Sequence, residues 1–154
     1  PRVVFDYSKY KDDLYLVGEL GAINRFKSFI TDHSFNVFNS YTVVLLNSLG
    51  ALRVTLSLEL SKNAIQELII AYKNRYLKNP NLEVVYKSRW CLMVLKTNFN
   101  KIYPGSKYLV DRFNNKYLIK VKDNLTYIYD YKITILDNYL EYFDIGVNYL
   151  REEL

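Results

Sequence analysis

The clearest pattern of hydrophobic and polar positions lies in residues 33–60. It begins with a short apolar run, which is typical of a strand. Asn39 or Ser40 can then cap a helix, because a short polar side chain accepts hydrogen bonds from free amide groups. An apolar helical face continues to Gly50, a residue suited to end a helix in a left-handed conformation. Residues 53–58 predict a second strand, so the stretch predicts a strand, a helix and a strand.

Two strands joined by a single helix are normally parallel, with a right-handed crossover between them. Their carboxyl ends then lie at the same edge of the sheet, which is where parallel α/β folds carry their chemistry. Four polar residues are predicted at this edge: Asn36, Asn39, Ser57 and Glu59. Their position makes them candidate site residues.

The rest of the chain predicts a mixture of helices and strands. Strands are expected at residues 14–17, 82–86, 127–130 and 147–151, and helices at residues 22–30, from Ser61 to about Asn79, and from Leu136 through Phe143 to Gly146. Residues 108–121 predict a β-hairpin, because Asn114 and Asn115 can take the positive φ angles that a two-residue turn needs. The pattern therefore predicts an α/β fold.

Composition sets the broad class of the protein. The chain has 154 residues, of which 50% are hydrophobic and 24% charged, and this is typical of one core-forming domain. No apolar run approaches the roughly 18 residues needed to cross a bilayer. We therefore expect a cytoplasmic protein that does not enter a membrane.

The charge allows two interpretations. A formal charge of +5 suits RNA or another phosphate-bearing partner. The 14 lysines, however, are spread along the chain, and an even spread favours a solvated basic surface instead.

Few residue types capable of nucleophilic or metal chemistry are present. Cys91 is the single cysteine and His33 the single histidine. One cysteine excludes an internal disulfide and any multi-cysteine zinc or iron–sulfur site made by this chain alone. The apolar neighbours of Cys91 predict a buried, inert thiol. No set of metal ligands is predicted.

Three segments resemble motifs of a known family. Residues 35–61, FNVFNSYTVVLLNSLGALRVTLSLELS, are similar to the "N-x-x-N-S" turn and the "R-V-x-L-S-x-E-L" strand of the collagenase-like peptidases, the U-type family thirty-two of unassigned catalytic type. The family's "V-Y-G-R-x-P-L-M-x-x-K-x-C" pattern is matched at Val85, Tyr86, Arg89, Leu92, Met93 and Lys96. Further along, Asp111, Arg112 and Lys116 match its "D-R-x-G" hairpin segment.

The resemblance implies a TIM-barrel-like fold. This chain has too few predicted strands to form a complete barrel. About eight strands and about 250 residues are usual for such a barrel. We therefore expect a partial (β/α) sheet with an inserted β-hairpin, forming a single domain over residues 1–154 that resembles the later half of the family barrel. An open sheet needs a cover, so self-association or a partner is expected.

The family's relatives are thought to hold an iron–sulfur cluster on cysteines, and this sequence departs from them there. Asn98 stands where the first cysteine is expected, and none follows in residues 122–126. We therefore expect no cofactor from this chain.

Two functions follow from the resemblance. The first is the binding of RNA or peptide at the barrel mouth, as in relatives linked to RNA base hydroxylation or proteolysis. Glu59 would then be a general acid or base, and the substrate-binding residues would be Asn36, Asn39, Ser57, Arg89, Lys96 and Arg112. The second is a non-catalytic scaffold or partner subunit. Whether the protein is a peptidase, an RNA-modification enzyme or neither stays open at this point.

Overall fold

The computed structural model describes residues 14–154, and it confirms the α/β class. Ten strands are present in this part of the chain: β1 (Tyr15–Val17), β2 (Phe29–Thr31), β3 (Ala51–Thr55), β4 (Leu82–Ser88), β5 (Cys91–Leu95), β6 (Tyr108–Val110), β7 (Lys116–Lys122), β8 (Leu125–Asp130), β9 (Thr134–Ile135) and β10 (Tyr149–Glu153). The α-helices of these residues are α1 (Leu20–Ile23), α2 (Ser40–Ser48), α3 (Lys62–Tyr76) and α4 (Phe99–Ile102).

The chain divides into two compact units. We call the first the parallel unit, which comprises Pro1–Tyr86 and Asp137–Arg151 and is described from Leu14 onwards. We call the second the antiparallel unit, which comprises Lys87–Leu136 and Glu152–Leu154. No helix in residues 14–154 is long and apolar enough to cross a membrane.

The parallel unit is built on strands in sequential order, β1-β2-β3-β4, with β10 beside β4. Each of the first three strands is parallel to the next, as the strand–helix–strand pattern predicts. The last two residues of β4, Lys87 and Ser88, belong to the antiparallel unit, where they pair antiparallel with the short strand β9.

Two helices of this unit begin where the sequence predicts, because polar side chains cap them. The Oδ1 atom of Asn39 accepts from the amide of Thr42 at 2.9 Å, and the hydroxyl of Ser61 accepts from Ala64 at 3.2 Å. Gly50 ends the first of these helices with a φ of 106°, and a Cβ there would lie 2.5 Å from the carbonyl oxygen of Lys27. This position therefore requires glycine.

The core of the parallel unit lies between its helices and its strands. Apolar side chains of the two longer helices are buried with those of the central strands: Val43, Leu46, Ile65, Leu68, Ile69, Val54 and Leu82. Burial of one such side chain stabilises the fold by about 1.5 to 3 kcal/mol. Tyr72 is also buried, and its hydroxyl accepts from the side-chain amide of Asn47 at 3.3 Å.

The antiparallel unit contains a four-stranded sheet in the order β5-β8-β7-β6. The predicted hairpin is present as β6 and β7, but it is part of this larger sheet. Its turn is longer than two residues, since β6 ends at Val110 and β7 begins at Lys116. The carboxylate of Asp111 stabilises this turn by accepting from the amides of Phe113 and Asn115. Of the two predicted turn residues, Asn114 alone has a positive φ.

Three predicted elements are wrong. The strand before α2 is Phe29–Thr31, and the predicted strand near Phe35 is a 3₁₀ helix, His33–Phe35, that ends at the left-handed Asn36. A helix is expected over residues 22–30, but the helix found there is Leu20–Ile23, and Phe29 and Ile30 belong to β2. The helix expected before Gly146 is a 3₁₀ helix, Tyr139–Tyr142. In the first case the apolar run is too short to separate a strand from a helix by its periodicity. In the other two, apolar residues at helical spacing lie partly in a strand or in a 3₁₀ helix.

Candidate functional site

The loops after β2 and β3 bring predicted site residues together. We call residues 32–39 and 56–60 the mouth loops. The hydroxyl of Ser57 donates to the Oδ1 atom of Asn36 at 2.7 Å, and the amide of Ser57 donates to the carbonyl of Val37 at 3.1 Å. Because these two contacts join the loops, Asn36 and Ser57 form one polar site at the carboxyl ends of adjacent strands.

Glu59 lies beside this pair, at the surface. Its amide donates to the Ser57 hydroxyl at 3.3 Å, and its side chain is exposed. Within residues 14–154, no side chain forms a hydrogen bond or an ion pair with the Glu59 carboxylate. No described neighbour therefore orients Glu59 as a general acid or base.

Asn39 has a structural role in the fold. Its Oδ1 atom accepts from both the amide and the hydroxyl of Thr42, at 2.9 and 3.1 Å. This oxygen therefore caps α2, which leaves the amide nitrogen of the side chain as its remaining polar group.

A cluster of charged side chains lies deeper in the parallel unit. Glu83 on β4 is only 3% exposed, and its carboxylate lies 2.7 Å from Nη1 of Arg53 and 3.4 Å from Nε of Arg151. The hydroxyl of Thr55 is 2.9 Å from the same carboxylate and also within hydrogen-bond distance of the carbonyl of Thr31. A hydroxyl has one proton, so Thr55 can donate to only one of them at a time.

Arg151 links this cluster to the mouth loops. Its Nη2 atom lies 2.6 Å from Oδ1 of Asp32, and the same oxygen is 3.1 Å from Nδ1 of His33. Burial alone would raise the pKa of Asp32, but hydrogen bonds and positive charge from His33 and Arg151 outweigh burial and hold this pKa well below its usual range. Asp32 is therefore an anion at neutral pH.

The charges in this cluster balance. Two arginines, Arg53 and Arg151, face two carboxylates, Asp32 and Glu83. The Arg53 guanidinium also lies 3.5 Å from the centre of the Tyr149 ring, a favourable cation–π contact. We call these four charged residues the charge cluster. It fixes β3, β4 and β10 to one another and to the loop after β2.

An open pocket of about 570 Å³ in the same unit is lined in part by the first mouth loop. Its walls come from the turn after β1, from the 3₁₀ helix and from α2: Gly18, Glu19, Leu20, Gly21, Ser34, Phe35, Thr42, Leu45, Leu46 and Leu49. None of the predicted site residues lines it.

The other predicted site residues belong to the antiparallel unit, on three separate elements. Arg89 donates to the backbone carbonyls of Asp130 and Tyr131, so it holds the end of β8. Lys96 follows β5 and is exposed. Arg112 lies in the hairpin turn with its guanidinium 4.7 Å from the centre of the Phe113 ring.

Cys91 differs from its predicted state, since it is exposed. Local burial and the negative charge of Glu153 raise the pKa of its thiol above the ordinary value. A raised pKa keeps the thiol protonated at neutral pH, and the thiolate is the nucleophilic form. Cys91 is therefore accessible but not activated.

Sequence patterns missed the charge cluster, although one signal was present. Glu83 lies inside the apolar strand β4, and Asp32 directly follows the apolar strand β2. A charge within a strand that is otherwise buried needs a partner of opposite charge. The partners, Arg53 and Arg151, are far away in sequence and cannot be identified from it.

Comparison of the chain with protein-family models, with curated proteins and with solved structures found no match. The similarity to the collagenase-like peptidases stays a prediction based on the motifs.

Proposed function

We propose that the chain is a collagenase-like, U-type peptidase family protein that binds RNA or peptide at the carboxyl ends of its parallel strands. The order of these strands supports a partial TIM-barrel-like fold. In a (β/α) barrel each strand pairs with the next along the chain, and β1 to β4 follow this rule.

The contact between Asn36 and Ser57 is the observation that carries this proposal. Their hydrogen bond of 2.7 Å joins the loops after two adjacent parallel strands. Active sites of (β/α) barrels are built from loops at this end of the strands. The side-chain amide of Asn36 and the hydroxyl of Ser57 offer donors and acceptors for the polar groups of a nucleotide or a peptide.

The charge cluster holds the first mouth loop in position. Asp32 begins the first mouth loop and is held by Arg151, which also contacts Glu83. A site is more precise when its loops are tied to rigid strands by buried polar contacts. Arg151 is thus a positioning residue rather than a ligand-binding one. In the same proposal, Glu59 is the general acid or base, and substrate binding orients its carboxylate.

A second function, a scaffold without catalysis, is favoured by a separate observation. Within residues 14–154, the Glu59 carboxylate has no orienting side chain, and the Cys91 thiol has a raised pKa. In this case the open parallel sheet binds a second copy or a partner subunit, which pairs with its edge strands.

Binding measurements on the full chain test the first function. The probes are a fluorescein-labelled RNA pool of random sequence and a fluorescein-labelled gelatin digest, followed by fluorescence anisotropy. Ser57→Ala and Asn36→Ala are expected to weaken binding of one probe about tenfold, the effect of one lost polar contact. Glu59→Gln is expected to keep binding.

Ser48→Ala is the matched control, because the Ser48 hydroxyl donates to Leu45 within α2 and lies outside the mouth loops. Equal binding by Ser57→Ala and Ser48→Ala would contradict the proposal. A chain that binds neither probe but forms a dimer or retains a partner would favour the scaffold instead.

A further inference from the structure

The positive charge of the chain is concentrated in one of the two units. The antiparallel unit has ten lysines and arginines against five aspartates and glutamates. The parallel unit has eleven of each, so its formal charge is zero. Lysines occur in both units, six in the parallel unit and eight in the antiparallel unit, but the formal charge of +5 belongs to the antiparallel unit, where acidic residues are fewer.

Within this unit, lysines and tyrosines share one side of the sheet. On β7, Lys116, Lys120 and Lys122 are at alternate positions, and alternate residues of a strand point to the same side. Lys120 lies directly opposite Tyr127 on β8, so these side chains share that side. Tyr129 shares it as well. We call these five residues the lysine–tyrosine face.

Contacts within the face confirm this arrangement. The Nζ atom of Lys120 is 5.3 Å from the centre of the Tyr129 ring. The rings of Tyr127 and Tyr129 are inclined by only 22°, with their centres 6.3 Å apart. The sheet therefore presents two nearly parallel aromatic rings beside a row of lysines.

The two sides of this sheet differ in their burial. The three lysines are exposed and the two tyrosines half-buried. On the opposite side, Ile119 and Thr126 are buried, and the amide of Phe99 at the start of α4 donates to the Thr126 hydroxyl at 2.9 Å. The opposite side thus contributes to the core of the unit, while the lysine–tyrosine face is open to solvent except at its end near Lys122, where Leu125 is buried.

The lysines of the face are not neutralised by acidic neighbours. Within residues 14–154, no carboxylate forms an ion pair with Lys116, Lys120 or Lys122. Asp130, the acidic residue of β8, lies opposite Tyr117 and so points to the other side. Glu153 is near the Tyr129 end, where its charge adds to the effect of burial in raising the pKa of Tyr129. The positive centre of the face is therefore at Lys120 and Tyr127.

We infer that the lysine–tyrosine face binds a single-stranded polynucleotide. Exposed lysines attract phosphates, and they release the cations condensed on the polynucleotide when they neutralise its phosphates. Tyrosine rings on the open side of a sheet stack with unpaired bases, as sheet-based modules do when they bind single strands. An acidic peptide would satisfy the lysines but has no flat bases for the two rings. The face is in a different unit from the mouth loops, so this inference stands whether or not the proposed function is correct.

Titration of the full chain with labelled oligonucleotides tests the inference. The probes are fluorescein-labelled oligouridylate and oligothymidylate of about 20 nucleotides, longer than the roughly 16 nucleotides of the largest single-fold sites. Binding is followed between about 50 and 200 mM salt. If the three lysines contact three phosphates, the logarithm of the association constant is expected to fall with the logarithm of the salt concentration at a slope of about −2. Equal binding of both probes supports stacking without sugar recognition, and tighter binding of the RNA adds recognition of the 2′-hydroxyl.

Two sets of variants locate the binding surface. The triple variant K116Q/K120Q/K122Q is expected to bind at least about tenfold more weakly and to lose the salt dependence. Its control, K27Q/K73Q/K78Q, removes the same charge from exposed lysines of the parallel unit and is expected to bind as the wild type does. Tyr127→Leu is expected to weaken binding about tenfold, whereas Tyr127→Phe keeps the ring and is expected to retain it.

Several outcomes would overturn the inference. One is that neither oligonucleotide binds. Another is that both triple variants weaken binding equally, which would show that binding depends only on the net charge of the protein. Competition by polyglutamate as effective as by unlabelled oligouridylate would show a surface for any polyanion. Loss of oligonucleotide binding in Ser57→Ala, with no loss in K116Q/K120Q/K122Q, would place the polynucleotide at the mouth loops instead.

Discussion

The Nη2 atom of Arg151 lies 2.6 Å from Oδ1 of Asp32, although 119 positions separate the two residues in sequence. This ion pair joins the last strand of the parallel unit to the loop after its second strand. Both side chains are less than one-fifth exposed, and Arg151 also reaches the buried Glu83. The candidate site therefore depends on a contact between two parts of the chain that are distant in sequence.

Removal of Arg151 is predicted to destabilise the protein strongly. Arg151→Met keeps much of the side-chain volume but leaves the buried Glu83 and the half-buried Asp32 with fewer partners. Loss of one member of a buried ion pair costs about 3 to 5 kcal/mol of the free energy of unfolding. Urea unfolding followed by circular dichroism measures this change. Arg112→Met, at an exposed turn, is the control, and a similar small loss in both variants would contradict a structural role for the cluster.

The ion pair of Asp32 also predicts a dependence of stability on pH. Because its pKa is lowered in the folded state, Asp32 contributes stability at pH values above its unfolded pKa of about 4. This contribution is lost as the pH falls below about 4 towards the lower folded pKa. Asp32→Asn is therefore expected to be less stable at neutral pH and to lose less stability on acidification.

The measurement is the free energy of unfolding between about pH 6 and pH 3, the range in which carboxylates begin to titrate. Asp144→Asn serves as control, because Asp144 is exposed. An acid dependence in Asp32→Asn as steep as that of the wild type would show that other carboxylates determine it.

The capping role of Asn39 is predicted to be separable from substrate binding. Asn39→Ala removes the acceptor for Thr42 and is expected to cost about 1 kcal/mol of stability. Asn39→Asp and Asn39→Ser restore a capping oxygen, and both are expected to recover most of that loss. If Asn39→Ser is stable but binds the probes of the mouth loops more weakly, the side-chain nitrogen of Asn39 contacts the substrate.

Cys91 is predicted to react slowly with iodoacetamide at neutral pH, despite its exposure. Its raised pKa leaves little thiolate, and the midpoint of the rate against pH is expected to lie above that of free cysteine. Glu153→Gln removes the negative charge beside it and is expected to lower this midpoint. A midpoint below that of free cysteine would instead indicate an activated thiol and would reopen a catalytic role for Cys91.

Sequence patterns predicted much of the fold where local chemistry decides the structure. Asn39, Ser61 and Gly50 were identified correctly, because caps and left-handed helix ends depend on one residue and its neighbours. The strand at Phe29–Thr31 was missed because three residues are too few to show a period. The position of Asn36 near Ser57 followed from the parallel arrangement of β2 and β3.

The charge cluster and the lysine–tyrosine face could not be predicted in the same way. Arg151 becomes a partner of Asp32 only when β10 lies in the sheet, and no local signal gives that position. In the sequence, the lysines of β7 do not stand out from the other lysines of the chain. Only the pairing of β7 with β8 places Lys120 opposite Tyr127. Both features depend on register between strands, which a single sequence does not specify.

The most direct test of the central claim is a nuclear magnetic resonance titration of the ¹⁵N-labelled full chain with the RNA pool and, separately, with the gelatin digest. If substrate binds at the carboxyl ends of the parallel strands, one of the two probes will shift the amide signals of Asn36, Ser57 and Glu59, and Ser57→Ala will reduce those shifts. Signals of the mouth loops that stay unchanged with both probes at saturation would contradict the claim.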